Sequence, residues 1–77
     1  MPRRRLDELD EIIGANIRKR RVARGMTQAA LGKCLTVTPQ QVQKYERGES
    51  IISAVNLVRL TAILECRLDD FFRPKRS

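Results

Sequence analysis

The side chains that follow Thr38 are the ones in this chain best suited to recognise another molecule, and they include Gln40, Gln41, Gln43 and Lys44. Each glutamine carries one acceptor and two donors on a planar amide, which matches the N6 and N7 edge of adenine in the DNA major groove. The lysine can reach guanine O6 and N7 or a phosphate oxygen. The same residue types are as typical of a solvated helix surface, so by themselves they leave base recognition and a plain polar face equally open.

Two short helices joined by a tight turn are predicted to hold these side chains, over the segment from Thr27 to Gly48. Thr27 is a good N-cap for a helix over Gln28–Leu35, and two residues form the turn that follows. Thr38 caps the next helix, and Pro39 occupies its first position, where the missing N–H of proline costs nothing. Gly48 ends this helix, because glycine readily adopts the left-handed conformation found there.

The rest of the chain predicts three further helical segments and no strand. Apolar residues at near-helical spacing run from Leu6 to Arg24, with acidic residues at the start and basic residues at the end, an order that complements the helix macrodipole. Ser53 caps a fourth helix, and a short fifth turn ends before Pro74. The inner stripe of the fourth helix is Leu57, Leu60, Ile63 and Leu64, and the fifth turn contains Leu68, Phe71 and Phe72. We therefore expect an all-α, compact five-helix domain over residues 6–73, preceded by a flexible basic arm (1–5) and followed by a disordered tail (74–77).

The positive charge of the chain is concentrated in its centre. Sixteen lysines and arginines against nine acidic residues give a formal net charge of +7. Nine of those basic residues and only two acidic ones lie between Arg18 and Arg59, so this block accounts for the whole excess. Such a block favours a polyanion as partner, through release of condensed counterions. A solvated surface that only keeps the protein soluble is the alternative, and charge alone does not separate the two.

Several classes of function lack the residues that they need. The chain has no histidine and only two cysteines, Cys34 and Cys66, so we expect no metal, no cofactor, and thiols that pack as small apolar residues. No acid–base pair or glycine-rich phosphate loop indicates an enzyme or a small-molecule ligand. No apolar run approaches the roughly 20 residues that span a bilayer, and no apolar signal region follows the basic N-terminus. These features predict a cytoplasmic protein without a membrane partner.

A long series of residues follows one characteristic spacing. It consists of Ile13-Gly14, Ile17-Arg18, Arg21, Gly25-Met26-Thr27-Gln28, Leu31, Leu35, Val37-Thr38, Val42 and Tyr45-Glu46-Arg47-Gly48, and then Ser53, Leu57, Leu60, Leu64, Leu68 and Phe71-Phe72. In this order the series resembles the lambda-repressor-like family of helix-turn-helix regulators, the Cro and xenobiotic-response-element type. The resemblance covers most of the chain, and a chance match at so many positions is improbable.

The resemblance implies different DNA contacts for the second and the third helix. In this family the second helix lies across the DNA backbone and the third enters the major groove. The implied base-contacting residues are Pro39, Gln40, Gln41, Gln43 and Lys44. The implied phosphate-contacting residues are Thr27, Gln28, Thr38 and Arg47, and Gln28 is also expected to brace the third helix. Pro39 has no hydrogen bond to give there, although it could touch a thymine methyl group.

The resemblance also implies a buried ion pair and a dimer surface. Arg21 and Glu46 match a pair that connects the first and third helices, and it is expected to orient the third. The residues of the fifth turn, Leu68, Phe71 and Phe72, are implied to close the core and to contact a second copy. Three positions depart from the family pattern: Thr36 and Glu65 stand where glycine is usual, and Gly32 replaces a small alanine. Thr36 is expected to cost about 1–2 kcal/mol in a left-handed conformation, or to force another turn.

Taken together, the sequence predicts a regulator that binds a specific double-stranded DNA sequence. The expected form is a homodimeric repressor on a pseudo-palindromic operator. Two alternatives within the class are a controller protein of a restriction–modification system and an antitoxin that represses its own operon, which would have a toxin as protein partner. An alternative of another class is a protein-interaction module that has lost DNA binding, against which the glutamine-rich helix and the central positive charge argue.

Overall fold

The computed structural model describes the backbone of residues 2–74 and the side chains of residues 8–74. The helices in this part of the chain are α1 (Pro2–Ala23), α2 (Gln28–Leu35), α3 (Pro39–Arg47), α4 (Ala54–Ile63) and a short 3-10 helix (Leu68–Phe72). The described residues contain no strand, so the predicted all-α class is confirmed. α1 packs against α3 and the 3-10 helix, and α2 packs against α3 and α4.

The described part of the chain forms four α-helices, which corrects the prediction of five. The expected fifth is a 3-10 helix of five residues, in which the amide of Asp70 donates to the carbonyl of Arg67 over 3.0 Å. The chain on either side of it is not helical. Glu65, at φ 53°, turns the backbone away after α4, and Arg73 is extended because Pro74 disfavours a helical conformation in the residue before it. Too few residues remain between these points for a stable α-helix.

The first helix begins four residues earlier than the apolar spacing predicts. α1 starts at Pro2 instead of Leu6, so residues 2–5 continue the helix and do not form a separate arm. Proline is well suited to the first helical position, and the arginines and leucine that follow are good helix formers. Met1 lies outside the described residues. The predicted tail also lies outside them, except for Pro74.

The core contains apolar residues from every helical segment. Its buried members are Ile17, Leu31, Leu35, Val42, Leu57, Leu60, Leu64 and Phe71. Ile17 comes from α1, Val42 is the apolar contribution of α3, and Phe71 closes the core from the 3-10 helix. The predicted inner stripe of α4 is confirmed, with Ile63 only partly buried. Since these positions recur at helical spacing, one face of each helix is buried and the opposite face is free for contacts with other molecules.

Three side-chain caps fix where the helices after α1 begin. The hydroxyl of Thr27 accepts a hydrogen bond from the amide of Ala30 (3.0 Å), and the hydroxyl of Thr38 accepts from Gln41 (3.0 Å). Ser53 caps α4 in the same way, with 3.1 Å to the amide of the third residue after it. Each cap stabilises its helix by about 1 kcal/mol, so the sequence signal and the helix start have one physical cause.

The turn between α2 and α3 keeps the left-handed conformation that the family pattern expects. Thr36 lies at φ 63° and ψ 41°, and the amide of the next residue, Val37, donates to the carbonyl of Gly32 over 2.8 Å. A methyl group on Gly32 would lie 2.7 Å from the carbonyl oxygen of Val37. The glycine therefore allows the turn to close tightly, and the strain falls on Thr36.

Replacing Thr36 by glycine is expected to stabilise the domain by about 0.5–1 kcal/mol. The side chain is exposed and makes no hydrogen bond to the described residues, and relief of about 1–2 kcal/mol of left-handed strain exceeds the extra entropy of a glycine in the unfolded chain. Urea unfolding measures the difference. The matched control is Ala62→Gly on the exposed face of α4, where the same residue type should cost about 1 kcal/mol. Equal losses in both variants would show that Thr36 is not strained.

The two cysteines have different surroundings. Cys66 packs against the core, and its burial raises the pKa of the thiol, so it stays protonated at neutral pH. Cys34 is exposed on α2, which corrects the expectation that both cysteines pack as small apolar residues. None of the described helices is both long enough and apolar enough to cross a membrane.

Candidate nucleic-acid interface

Helix α3 presents one polar face to solvent and one face to the core. Val42 and Glu46, four residues apart, point inward and are buried. Gln40, Gln43 and Lys44 are exposed on the other side. Three of the five predicted base-contacting side chains therefore have free amide or ammonium groups at the start and middle of a short helix.

The other two members of the predicted base-contacting set differ in exposure. Pro39 is exposed at the first position of α3, where its ring offers only apolar contacts. Gln41 is half-buried, and its backbone amide is used by the Thr38 cap. The outward face of α3 thus consists of one apolar ring followed by amide and ammonium groups.

The position of α3 is set by a very close approach to α1. A Cβ atom added to Gly14 would lie 2.2 Å from the carbonyl oxygen of Tyr45 and 2.7 Å from that of Glu46. These are backbone atoms, so no side-chain rotation could relieve the contact. Gly14 is buried, and its lack of a side chain lets the last turn of α3 lie directly on α1.

The ion pair between Arg21 and Glu46 is present and buried. Nε of Arg21 donates to Oε2 of Glu46 over 2.6 Å, and a second guanidinium nitrogen donates to Oε1 over 3.1 Å. Both residues are 8% exposed. The guanidinium also donates to the carbonyl of Met26 over 2.7 Å, so the residue after the first interhelical turn is held as well. A two-point contact between planar groups fixes the rotation of α3 as well as its distance from α1.

Gln28 joins this network from the start of α2. Its amide nitrogen donates to Oε1 of Glu46 over 3.0 Å, so one carboxylate connects α1, α2 and α3. The expected bracing of the third helix by Gln28 is thereby present. The side chain is half-buried, and its contact with phosphate stays a prediction.

The remaining candidates for phosphate contacts are all exposed. The hydroxyl oxygens of Thr27 and Thr38 accept the cap hydrogen bonds, which leaves each O–H free to donate. Arg47 is exposed at the end of α3, and its only ion pair in the described residues is a loose one of 4.0 Å to Glu49. These groups can therefore turn towards an anionic backbone without breaking a strong contact within the protein.

The proposed dimer residues do not share one surface. Phe71 is completely buried in the core, so it has no area to offer a second copy, and we withdraw it as an interface residue. Leu68 and Phe72 are exposed. In a 3-10 helix with three residues per turn, neighbouring side chains lie about 120° apart, so the two phenylalanines face different directions.

A polar anchor of the C-terminal segment was missed by the sequence analysis. The amide of Asn16 on α1 donates to the carbonyls of Phe71 and Arg73, both over 2.9 Å. The carboxylate of Asp70 accepts from the amide of Arg67 over 2.9 Å and pairs with Arg20 over 3.3 Å. The hydrogen bond from that amide, with the nearby guanidinium groups, lowers the pKa of Asp70. The only sign of this anchor in the sequence is that an asparagine, Asn16, stands between the apolar positions of α1.

Replacing Asp70 by asparagine is expected to destabilise the domain at pH 7 but not in acid. Because the pKa of Asp70 is lower in the folded chain than in the unfolded one, ionisation stabilises the fold above about pH 4. That stabilisation is lost as the pH falls through the lowered value. Urea unfolding at pH 7, 5 and 3 should show a deficit that shrinks with acidity. Asp69→Asn is the control and should change little, because the ion pairs of Asp69 with described residues are exposed and measure 3.5 and 4.0 Å. A deficit independent of pH would contradict this account.

Comparison with known proteins identifies the family. The family model described as helix-turn-helix (HTH_3) matches residues 17–71, which is most of the chain. The chain therefore belongs to the helix-turn-helix family of the xenobiotic-response-element type, a family of DNA-binding transcriptional regulators. The resemblance drawn from the residues is thus confirmed.

The individual relatives agree with this assignment. An uncharacterized HTH-type transcriptional regulator of Sinorhizobium fredii is 41% identical over 70 residues, covering 91% of this chain and 49% of its own length. Repressor protein C2 of Salmonella phage P22 is 36% identical over 59 residues, covering 77% and 27%. The chain spans about half the length of the first of these relatives.

Solved structures show the same fold. The restriction–modification controller protein C.AhdI of Aeromonas hydrophila superposes with a TM-score of 0.77 at 26% identity, covering 86% of this chain and 96% of that one. The P22 c2 repressor, solved in complex with a synthetic operator, gives a TM-score of 0.73 at 33% identity, covering 82% and 96%.

Proposed function

We propose that this protein is a transcriptional repressor that inserts α3 into the major groove of a specific double-stranded DNA sequence. The observation that carries the proposal is the exposed Gln40, Gln43 and Lys44 on a helix whose inner side is fixed by the Arg21–Glu46 ion pair. Recognition of a nucleobase needs side chains whose polar ends are free and whose helix backbone is held in place, since disorder in the helix would cost affinity. The similarity to a phage repressor solved in complex with a synthetic operator supports this assignment.

Electrostatics supports a duplex as the partner. The central block of the chain carries the whole net charge of +7, and Arg47 and Lys44 are exposed on or at the end of the helix that we place in the groove. Contacts to phosphate release condensed counterions and position the protein, whereas contacts to base edges supply the sequence preference. We assign Thr27, Gln28, Thr38 and Arg47 to the first role, and the outward side chains of α3 to the second.

We further propose that two copies bind a pseudo-palindromic operator. One short helix reaches only a few base pairs, and a single module buries too little surface for the affinities of typical operators. A two-fold dimer doubles the number of base pairs contacted and the surface buried, with half-sites about one helical turn apart.

Substituting Gln40 by alanine is expected to relax base preference at one operator position, at a cost of about 1–3 kcal/mol in specific binding. Binding to random DNA should be unchanged, because an amide that contacts a base edge adds nothing to phosphate contacts. Fluorescence anisotropy on cognate and random duplexes measures both. The control is Arg47→Ala, which should weaken both duplexes alike and reduce the salt slope by about 1. Equal losses on both duplexes for Gln40→Ala would mean that Gln40 contacts no base.

A second candidate is a controller protein of a restriction–modification system. The observation that favours it is the superposition on the solved controller protein, which gives a TM-score of 0.77 against 0.73 for the phage repressor. The site and the DNA-binding mechanism would be the same, and only the regulated genes would differ. Sequencing the neighbouring genes tests this assignment: an adjacent methyltransferase and endonuclease would favour it over a repressor of other genes.

A further inference from the structure

The outward face of α1 carries a stripe of residues at the spacing of a coiled coil. The stripe consists of Glu8, Ile12, Ala15 and Lys19. Steps of four, three and four positions keep side chains on one side of a helix, as the a and d positions of a heptad do. Three of these residues are exposed, and Ile12 is half-buried without belonging to the apolar residues packed on the core. The stripe therefore faces solvent along about three helical turns.

Opposite charges stand at the two ends of this face. Glu8 and Glu11 lie at the end nearer the N-terminus of α1, and Arg18 and Lys19 lie at the other end. All four line one open groove along α1, together with the two apolar residues of the stripe. Within residues 8–74, none of these four side chains forms an ion pair. A partner with charge of a single sign, such as a nucleic acid or an acidic peptide, would be repelled at one end.

The same face is complementary to a second copy that runs in the opposite direction. With a two-fold axis between Ile12 and Ala15, the Ile12 of each copy lies against the Ala15 of the other. Each Glu8 then stands opposite the Lys19 of the other copy, so both ends form pairs of opposite charge. The small side chain of Ala15 allows the two helices to approach closely. Such reciprocal contacts are what a two-fold interface requires.

We infer that the stripe formed by Glu8, Ile12, Ala15 and Lys19 is a self-association surface, on which the α1 helices of two copies pack antiparallel. The contact forms without DNA, so it does not depend on the proposed function. It is also separate from the 3-10 helix, whose exposed residues were the candidates for a dimer contact.

The stripe lies on a different side of α1 from the contacts that hold α3. α1 meets α3 through Gly14 and Arg21. At 100° per residue, these two positions lie about 140° around the helix axis from the centre of the stripe. A second copy on the stripe therefore leaves the polar face of α3 free, and associated copies can each contact a duplex.

The charge of the whole chain and the size of the stripe limit the strength of this contact. Each copy has a net charge of +7, which opposes association in solution. A stripe of four side chains is also smaller than the roughly 800 Å² per partner of a stable interface. The association is therefore weak, and the pairs of Glu8 with Lys19 fix its direction more than its strength.

Charge reversal at the two ends of the stripe tests the antiparallel register. Glu8→Lys and Lys19→Glu each set like charges opposite each other at both ends, so each should weaken self-association at least about tenfold. The double variant carries both reversals and should recover the association of the wild type, because opposite charges face each other again. A mixture of the two single variants should also recover it, since every facing pair between unlike chains is of opposite sign.

The matched controls are Glu65→Lys and Arg67→Glu. They change the net charge by the same amounts at exposed positions outside the stripe. Each should associate as the wild type does, and mixing them should add nothing. Thermal unfolding checks that every variant folds.

Sedimentation equilibrium without DNA measures the association of each chain and of each mixture. The expected result is a loss for the two single reversals and a recovery for both the double variant and their mixture. The inference is overturned if the single reversals associate to the same extent as the wild type, including the case in which none associates. It is equally overturned if the controls lose as much as the single reversals, or if neither the double variant nor the mixture recovers. A wild type that associates in this way but binds no duplex would refute the proposed function alone.

Discussion

Replacing Arg21 by methionine is expected to lower the free energy of unfolding by about 3–5 kcal/mol, which is most of the stability of a domain of this size. The guanidinium neutralises a carboxylate that is buried between three helices, and its removal leaves Glu46 charged and without its strongest partner. Gln28 could offer only its single hydrogen bond of 3.0 Å. Urea unfolding followed by circular dichroism measures the loss.

The control for this prediction is the double variant Arg21→Met with Glu46→Leu. Removing both charges replaces the ion pair by apolar groups of similar volume, so most of the lost stability should return. DNA binding should not return to the same extent, because the rotation of α3 would no longer be fixed by a two-point contact. If Arg21→Met alone lowered the free energy of unfolding by less than about 1 kcal/mol, the ion pair would behave as an exposed one.

Replacing Gly14 by alanine is expected to destabilise the domain by about 1–3 kcal/mol or more, although alanine is the better helix former by about 1 kcal/mol. The new methyl group would lie 2.2 Å from the carbonyl oxygen of Tyr45, so α3 must move away from α1. Since that helix carries the proposed base contacts, specific DNA binding should fall further than binding to random DNA.

Thermal unfolding and anisotropy on both duplexes measure these two effects of Gly14→Ala. Ala15→Gly is the matched control, one position along the same helix and exposed. It should cost about 1 kcal/mol from propensity alone and leave the preference for the cognate duplex unchanged. If Gly14→Ala were as stable as the wild type, α3 would not be held by the close approach.

The helix limits could be predicted from sequence where a local interaction sets them. Thr27, Thr38 and Ser53 accept hydrogen bonds within their own first turns, so the start of each helix is encoded in four consecutive residues. The left-handed turn at Thr36 was expected only from the family resemblance, with another turn as the alternative, because a β-branched residue by itself disfavours that conformation. The start of α1 could not, since no capping residue precedes Leu6 and the arginines before it are compatible with both helix and coil.

The parts of the site that depend on distant residues came from the family resemblance or were missed. Arg21 and Glu46 are 25 positions apart, and nothing in their spacing indicates that they meet. Asn16 likewise binds the carbonyls of Phe71 and Arg73, which lie 55 and 57 positions later in the sequence. The burial of Phe71 beside the exposed Phe72 likewise depends on the 3-10 geometry, which a pattern of apolar residues does not specify.

The central claim is that the outward side chains of α3 contact base edges in the major groove. Selection of bound duplexes from a random DNA pool tests it most directly. The protein is incubated with the pool at moderate salt, and the retained duplexes are sequenced over several rounds. The account predicts an enriched inverted repeat with half-site centres about 10 base pairs apart, and a base preference that changes at one position in each half for Gln40→Ala. Recovery of a pool without sequence preference, or of the same site by the wild type and Gln40→Ala, would contradict it.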